Sequence, residues 1–204
     1  MIYLLLRYIS IIFLSVYNRL SVTGSKNLEE SKQYIFIANH FSFFDLFIMI
    51  AAINKPAIIP IKSDFFNGFP MRNFLLLING IPVKNNRISS KSINSIIHEV
   101  KNGKSLFIAP EGRISKDGNL QEFRDGASLI AFKTGIPVIP VAIFNASKVL
   151  PPGSILPRPY RIRVKIGNPV AANFSVTNRK RIREYTEIIR NSLYLLLEKE
   201  YPNK

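Results

Sequence analysis

The chain contains no cysteine and only two histidines, His40 and His98, among its 204 residues. The absence of cysteine excludes disulfide bonds, thiolate metal ligands and a cysteine nucleophile, and it fits a reducing compartment. Two histidines are too few for a histidine-rich metal site, so we expect no bound metal. His98 lies beside Glu99 in a predicted helix with no motif around it, which leaves His40 as the candidate for imidazole chemistry.

Acidic residues are also scarce, because 13 Asp and Glu oppose 28 Lys and Arg and give a formal net charge of +15. Such an excess predicts an anionic partner, either nucleic acid or an anionic membrane. The sequence shows no aromatic RNA-binding motif, no zinc-ligand spacing and no helix-turn-helix pattern. We therefore expect a membrane surface as the partner and no nucleic acid, and a basic nucleic-acid-binding protein is the alternative.

The first 20 residues are apolar apart from Arg7 and Arg19 and a few polar uncharged residues. A membrane-spanning helix needs about 20 apolar residues in a row, and Arg7 interrupts that length. We predict that residues 1–20 form a helix lying in one leaflet, with both arginines reaching the head groups, and that residues 21–204 form one domain. A spanning anchor and a cleaved signal peptide are the alternatives.

Short apolar runs alternate with helical patterns along the rest of the sequence, whereas residues 21–32 are polar and are predicted to be a connector. Strands that alternate with helices indicate a single α/β domain with a largely parallel central sheet flanked by helices. Residues 161–166 alternate basic and apolar side chains, as an edge strand does. The predicted strands are 34–38, 57–61, 81–83, 105–109, 138–144 and 161–166, and the predicted helices are 43–53, 65–79 in pieces, 89–101, 125–134 and 176–199.

The sequence NHFSFFD, residues 39–45, lies where the first of these strands ends and a helix begins. Functional sites of open α/β sheets collect at such positions. Asp45 follows His40 by about one helical turn, so its carboxylate can fix the imidazole tautomer and stabilise imidazolium while His40 takes a proton from a hydroxyl. The alternative is a structural histidine held by a nearby aspartate.

The sequence PEGRIS, residues 110–115, follows another predicted strand. A turn of this kind presents backbone N–H groups and a cation to an anionic head group. The alternative is an ordinary polar turn with no ligand.

Together these segments resemble the glycerolipid acyltransferase family, whose best-known members are 1-acylglycerol-3-phosphate acyltransferases. The chain matches the family's NHxxxxD segment, its PEGTRS-like segment and its V-P-V-like segment, in the right order. The matching residues are Asn39, His40 and Asp45, then Pro110, Glu111, Gly112 and Ser115, then Ile139, Pro140, Val141 and Ala142.

The resemblance implies transfer of a fatty acyl group from acyl-CoA or acyl-carrier protein to the hydroxyl of a lysophospholipid. The expected acceptor is 1-acyl-sn-glycerol 3-phosphate, the expected product is phosphatidic acid, and no cofactor is expected beyond the donor substrate. The implied location is the cytoplasmic face of the inner or plasma membrane. Acylation of another lysolipid and a non-catalytic lipid-binding protein are the alternatives.

Two departures from the family pattern affect the acceptor site. Residues 80–87 look like the family's glycine-led segment but lack its arginine, with Lys84 and Arg87 flanking the gap, and Arg113 stands one position earlier than usual. Lys62 follows a strand where family members often carry lysine, so the resemblance implies that it stabilises the oxyanion with His40 and Asp45, unless it is only a surface lysine. The expected substrate contacts are Asn39, Lys84, Arg87, Glu111, Gly112, Arg113 and Ser115.

Overall fold

The computed structural model describes residues 2–84, 90–115, 118–151, 153–172 and 178–198. The strands within these ranges are β1 (Ser21–Thr23), β2 (Ile35–Ala38), β3 (Ala57–Lys62), β4 (Gly80–Val83), β5 (Ser105–Ile108), β6 (Val138–Phe144) and β7 (Arg163–Ile166). The helices are α1 (Ile2–Tyr17), α2 (Asp45–Ala52), α3 (Met71–Leu77), α4 (Ser90–Lys101), α5 (Gly126–Thr134), α6 (Ala146–Val149) and α7 (Arg179–Glu198). Short 3₁₀ turns occupy Ser25–Asn27 and Ser63–Phe66.

The strands form one sheet of seven in the order β1-β7-β6-β2-β5-β3-β4 within the described part of the chain. All neighbouring pairs are parallel except β6 and β7, which are antiparallel. The central strands β2, β5 and β6 are buried along their whole length, as parallel strands covered on both faces must be. The predicted α/β class with a largely parallel sheet is confirmed.

Two details of the sheet differ from the sequence prediction. Residues 21–32 were predicted as a connector, but Ser21–Thr23 pairs with β7 as the outermost strand, and β7 therefore does not lie at the edge. A strand of three residues is too short to show the alternation on which a sequence prediction depends. The start predicted for the last helix, residue 176, lies outside the described residues.

The two faces of the sheet carry separate hydrophobic cores. Phe36 and Ala38 of β2 point into the core that α1 and α2 cover, whereas Ile35 and Ile37 point into the core covered by α4, α5 and α7. This alternation follows from the two-residue period of a strand. The sheet thus separates a face bearing α1 from a face bearing α7.

Helix α1 packs on the first core through Leu14, which has no exposed surface, and leaves its opposite side in solvent. The backbone N–H of Leu20 donates to the carbonyl of Leu14 at 2.9 Å and ends the helix against the sheet. Among the described residues, no helix combines the length and the apolar character needed to cross a bilayer.

Leu14→Ala should lower the free energy of unfolding by about 2–5 kcal/mol, because it leaves a cavity between α1 and the sheet. Val16→Ala, at a position 78% exposed on the same helix, should change it by less than about 0.5 kcal/mol. Denaturant unfolding of both variants measures the difference. Equal stabilities would mean that α1 does not pack on this core in solution.

Candidate active site

Several predicted site residues lie at the carboxyl ends of neighbouring strands. Strands β2, β5 and β3 are neighbours and run parallel, so their carboxyl ends lie on the same side of the sheet. His40 follows β2, Glu111 follows β5, and Lys62 is the last residue of β3. Ligands of open α/β sheets bind at such carboxyl ends.

His40 and Asp45 form a hydrogen-bonded pair, with 3.0 Å between His40 Nδ1 and Asp45 Oδ2. The same oxygen accepts the backbone N–H groups of Phe41 at 2.9 Å and Ser42 at 3.0 Å. The Asp45 side chain is 2% exposed and that of His40 is 27% exposed. Because Nδ1 faces the carboxylate, Nε2 is the ring nitrogen that remains for a substrate hydroxyl.

Asp45 is a buried acid whose hydrogen bonds oppose the effect of its burial. Burial raises the pKa of the Asp45 carboxyl, while its hydrogen bonds to His40, Ser42 and Phe41 oppose that rise. Its second oxygen, Oδ1, is buried and has no hydrogen-bond partner among the described residues. A positive charge nearby stabilises a buried carboxylate, and the imidazole of His40 is the ring that lies within hydrogen-bond distance of Asp45.

Glu111 and Ser115 hold the backbone of His40 from both sides. Glu111 Oε1 accepts the N–H of His40 at 3.0 Å, and the N–H of Ser115 donates to the carbonyl of His40 at 2.8 Å. The other Glu111 oxygen accepts the N–H of Gln121 at 3.1 Å. Burial raises the pKa of Glu111, and these N–H groups lower it in part. The geometry therefore gives Glu111 a positioning role, beside the predicted substrate contact.

Asn39 also contacts backbone in this structure. Its Nδ2 donates to the carbonyl of Ile143 at 2.9 Å, and its Oδ1 accepts the N–H of Ile143 at 2.8 Å. The buried side chain thus continues the pairing of β2 with β6 beyond Ala38. This amide fixes the direction in which the chain leaves β2 toward His40.

His40 borders a cavity of about 1040 Å³. Gly112, Arg113 and Lys62 line the same cavity, so these predicted site residues are brought together with His40. Cavities that bury a small ligand commonly measure about 300–1,000 Å³ and are mostly apolar. The apolar wall includes Leu46, Phe47, Ile61, Phe65, Phe74 and Leu75.

Two of the predicted cations, Lys62 and Arg113, have protein partners. Lys62 pairs with Asp64, which holds the pKa of that carboxyl below its usual range. Arg113 is exposed and donates through Nη2 to Gln121 Oε1 at 3.2 Å. Lys84 is exposed just beyond β4, where Val83 lines the cavity, and Arg87 lies outside the described residues.

Arg124 is a cavity residue that the sequence analysis did not assign. Its guanidinium lies against Gly112, where an added Cβ would come within 2.9 Å of Arg124 Cζ. Gly112 also has a φ of +68°, which glycine adopts without strain. The PEGRIS segment does not include Arg124, which follows its last residue by nine positions in the sequence.

Comparison with known proteins identifies the family. The family described as Acyltransferase matches residues 19–144, which is more than half of the chain and includes every site residue named above. The chain belongs to the acyltransferase family. The region that matches the family begins before β1 and ends with β6, so both β7 and α7 follow it.

Relatives include a chloroplastic 1-acyl-sn-glycerol-3-phosphate acyltransferase of Brassica napus, 33% identical over 65% of this chain and 39% of its own length. A 1-acyl-sn-glycerol-3-phosphate acyltransferase of Borreliella burgdorferi is 28% identical over 63% of this chain and 52% of its own length. The chain thus matches about half or less of these relatives.

Among solved structures, the crystal structure of the 1-acyl-sn-glycerophosphate acyltransferase PlsC from Thermotoga maritima is similar, with a TM-score of 0.77 and 26% sequence identity. The similarity covers 95% of this chain and 79% of that one. It therefore extends beyond the family segment to nearly all of the fold.

Glu111→Gln should lower the melting temperature and reduce kcat for acyl transfer, with little change in KM. A carboxamide offers one oxygen in place of two, so the N–H of His40 or of Gln121 loses its acceptor, at a cost of about 1–3 kcal/mol. Thermal unfolding and steady-state kinetics measure the two effects.

Glu122→Gln is the matched control, because Glu122 is exposed in the same loop, and it should leave both quantities unchanged. A Glu111→Gln protein that changes only KM would instead place this carboxylate on the substrate.

Proposed function

We propose that the protein transfers a fatty acyl group from a thioester donor to the hydroxyl of a lysophospholipid. The observation that carries the proposal is the pairing of His40 with buried Asp45 at the border of a large apolar cavity. A lipid-binding protein without catalysis needs neither an oriented imidazole nor a buried carboxylate behind it, so the pair favours an enzyme.

In this reaction, His40 Nε2 takes the proton of the acceptor hydroxyl while the hydroxyl oxygen attacks the carbonyl carbon of the thioester. The C–O bond forms, and the tetrahedral intermediate then breaks its C–S bond. The leaving thiolate takes the proton back from His40, so the enzyme returns to its starting state. Asp45 stabilises the imidazolium between the two steps. A thioester is already activated, so no enzyme nucleophile is needed.

The oxyanion of the intermediate requires a cation or N–H groups close to the reacting carbon. Lys62 borders the cavity at the end of β3, and the side chain of its partner Asp64 is 60% exposed. An exposed ion pair is weak, since solvent screens it, and so Lys62 is able to exchange this partner for an oxyanion.

The proposed acceptor is 1-acyl-sn-glycerol 3-phosphate, and the product is then phosphatidic acid. The names of the relatives support this choice. Arg113 at the cavity provides a guanidinium for the phosphate, and Lys84 and Arg87 are the further candidates. The donor is acyl-CoA or acyl-carrier protein, with its chain against the apolar wall of the cavity.

We further propose that α1 lies on the cytoplasmic face of an anionic membrane. The exposed side of α1 carries Leu5, Tyr8, Ile9, Ile12 and Val16. An apolar helix face next to basic residues is typical of helices that lie in the interface of anionic bilayers.

The cavity lies near this helix. Tyr3 and Leu6 of α1 pack on the small core that also contains Leu46, Ile61 and Phe74 of the cavity wall. This arrangement supports entry of lipid chains from the membrane side.

His40→Ala should reduce kcat/KM for acyl transfer by about 10²–10⁴-fold without unfolding the protein, because the general base is lost. Asp45→Asn should also be severe, because an amide cannot stabilise the imidazolium. A labelled acyl-CoA assay with a panel of lysolipid acceptors measures both variants.

His98→Ala is the matched control, since His98 is exposed on α4 and pairs with Asn102. It should keep wild-type turnover. A His40→Ala enzyme that also keeps wild-type turnover would refute the mechanism.

Arg113→Ala should lower kcat/KM for 1-acylglycerol 3-phosphate by at least about tenfold, near 1.4 kcal/mol. Lys84→Ala should do the same if this lysine replaces the missing family arginine. Activity on a monoacylglycerol, which carries no phosphate, should barely change in either variant. Steady-state kinetics with both acceptors separates a loss of phosphate recognition from a general loss of activity.

Arg181→Ala is the control, because Arg181 is exposed on α7 and pairs with Glu184. Equal losses with both acceptors, together with a lower melting temperature, would mean that Arg113 only supports its loop through Gln121. That result would favour another lysolipid as acceptor.

A further inference from the structure

The segment between α6 and β7 carries two of the most exposed apolar side chains of the described residues. Ile155 is 93% exposed and Leu156 is 77% exposed. They lie in residues 153–162, which we call the tip loop. Exposed apolar side chains that adjoin one another indicate a surface that binds a partner.

The tip loop is fixed to the end of α1 by hydrogen bonds. Tyr17 Oη donates to the carbonyl of Pro157 at 3.1 Å. Asn18 Nδ2 donates to the carbonyls of Arg158 at 2.8 Å and Tyr160 at 3.1 Å, and Asn18 itself is buried. The loop is therefore held at the C-terminal end of α1 by Tyr17 and Asn18.

Several backbone groups of the tip loop are satisfied within the protein. The N–H of Ser154 donates to the carbonyl of Pro151 at 3.0 Å, and the N–H of Arg158 donates to the carbonyl of Val149 at 2.7 Å. Ser154 Oγ donates to the carbonyl of Leu156 at 3.2 Å. Polar groups paired in this way cost little to move from water into a membrane interface.

Basic and aromatic side chains surround the apolar tip. Lys148, Arg158 and Arg161 are exposed on either side of it, and Tyr160 is 47% exposed. Cations attract anionic lipid head groups, and tyrosine is enriched at membrane interfaces. This charge pattern suits an anionic membrane better than the surface of another protein.

We propose that the tip loop is a second membrane-inserting element, with Ile155 and Leu156 entering the acyl boundary of an anionic bilayer beside α1. The inference rests on the proposed membrane position of α1, but not on the acyl-transfer chemistry. It places two separate parts of the chain, far apart in sequence, on one membrane surface.

The chain that leads into the tip loop contacts the catalytic segment at Leu150. Ser42 Oγ donates to the carbonyl of Leu150 at 3.0 Å, and the N–H of Ser42 is one of the donors to Asp45 Oδ2. The His40 segment is therefore hydrogen-bonded to the chain that precedes the tip loop.

The chain contains no tryptophan, so a single introduced tryptophan reports on one position. The probes are Leu156→Trp in the tip loop, Ile12→Trp on the exposed face of α1 and Leu195→Trp on α7. Leu195 is 53% exposed on the opposite face of the sheet and serves as the matched control. Vesicles of phosphatidylglycerol and phosphatidylcholine are added, with and without brominated acyl chains.

We expect the emission of Leu156→Trp and Ile12→Trp to shift to shorter wavelength on vesicles and to be quenched by bromine, while Leu195→Trp changes in neither respect. A shift at Ile12→Trp without one at Leu156→Trp would overturn the tip-loop proposal and leave α1 on the membrane. No shift at either position would overturn both. A blue-shifted Leu156→Trp in the absence of vesicles, reversed by dilution, would show that a second copy covers the loop.

A second measurement uses the paired substitutions Ile155→Ser and Leu156→Ser. Vesicle affinity in a flotation assay should fall by about tenfold or more, because two apolar side chains no longer leave water. Ile188→Ser with Leu195→Ser, on α7, should keep wild-type affinity. Unchanged melting temperatures exclude unfolding, and unchanged vesicle binding of the tip-loop variant would overturn the proposal. Acyl transfer by the wild-type protein is assayed separately, so failure of the chemistry is distinguished from failure of the loop.

Discussion

The site depends on one buried carboxylate. Asp45 Oδ2 receives the imidazole of His40 and the N–H groups of Phe41 and Ser42, so a single oxygen sets both the ring orientation and the path of the chain before α2. Glu111 then fixes the N–H of His40 itself. Two buried acids thus determine where His40 lies, and burial raises the pKa of each carboxyl while their N–H donors oppose that rise. The same hydrogen bonds therefore hold the backbone and favour the charged form of both acids.

The parallel sheet explains why these acids meet. They are 66 positions apart in the sequence, Asp45 to Glu111, but the strands that precede them, β2 and β5, are direct neighbours. Because β2 and β5 are parallel, their carboxyl ends lie on the same side of the sheet, and the crossover helices leave that side open to a ligand. The buried amide of Asn39 extends the contact to β6. The motif residues Asn39 and Glu111 therefore connect neighbouring strands through hydrogen bonds, in addition to their predicted contacts with substrate.

Much of this was predictable from sequence. Buried parallel strands give continuous apolar runs, so the α/β class followed from the sequence pattern. The spacing of His40 and Asp45 predicted that their side chains meet, and they do, at 3.0 Å. Their catalytic role stays a prediction. The backbone roles of Asn39 and Glu111 did not, because a motif shows residue type but not which atoms face the chain. Arg124 was missed for a similar reason, since only the fold lays its guanidinium on Gly112. The strand Ser21–Thr23 is too short to give a pattern.

Two cations of the site, Arg113 and Lys62, already have protein partners, and this bears on the choice of acceptor. Arg113 donates to the neutral amide of Gln121, and Lys62 pairs with exposed Asp64. A phosphate that replaces the amide on Arg113 adds a negative acceptor to a bond whose donor is already charged, and it can accept two guanidinium N–H groups at once. A neutral head group gains nothing from the same exchange. Under the proposed function, a guanidinium that is paired only with a neutral amide within the described part of the chain would therefore favour an anionic acceptor over a neutral one.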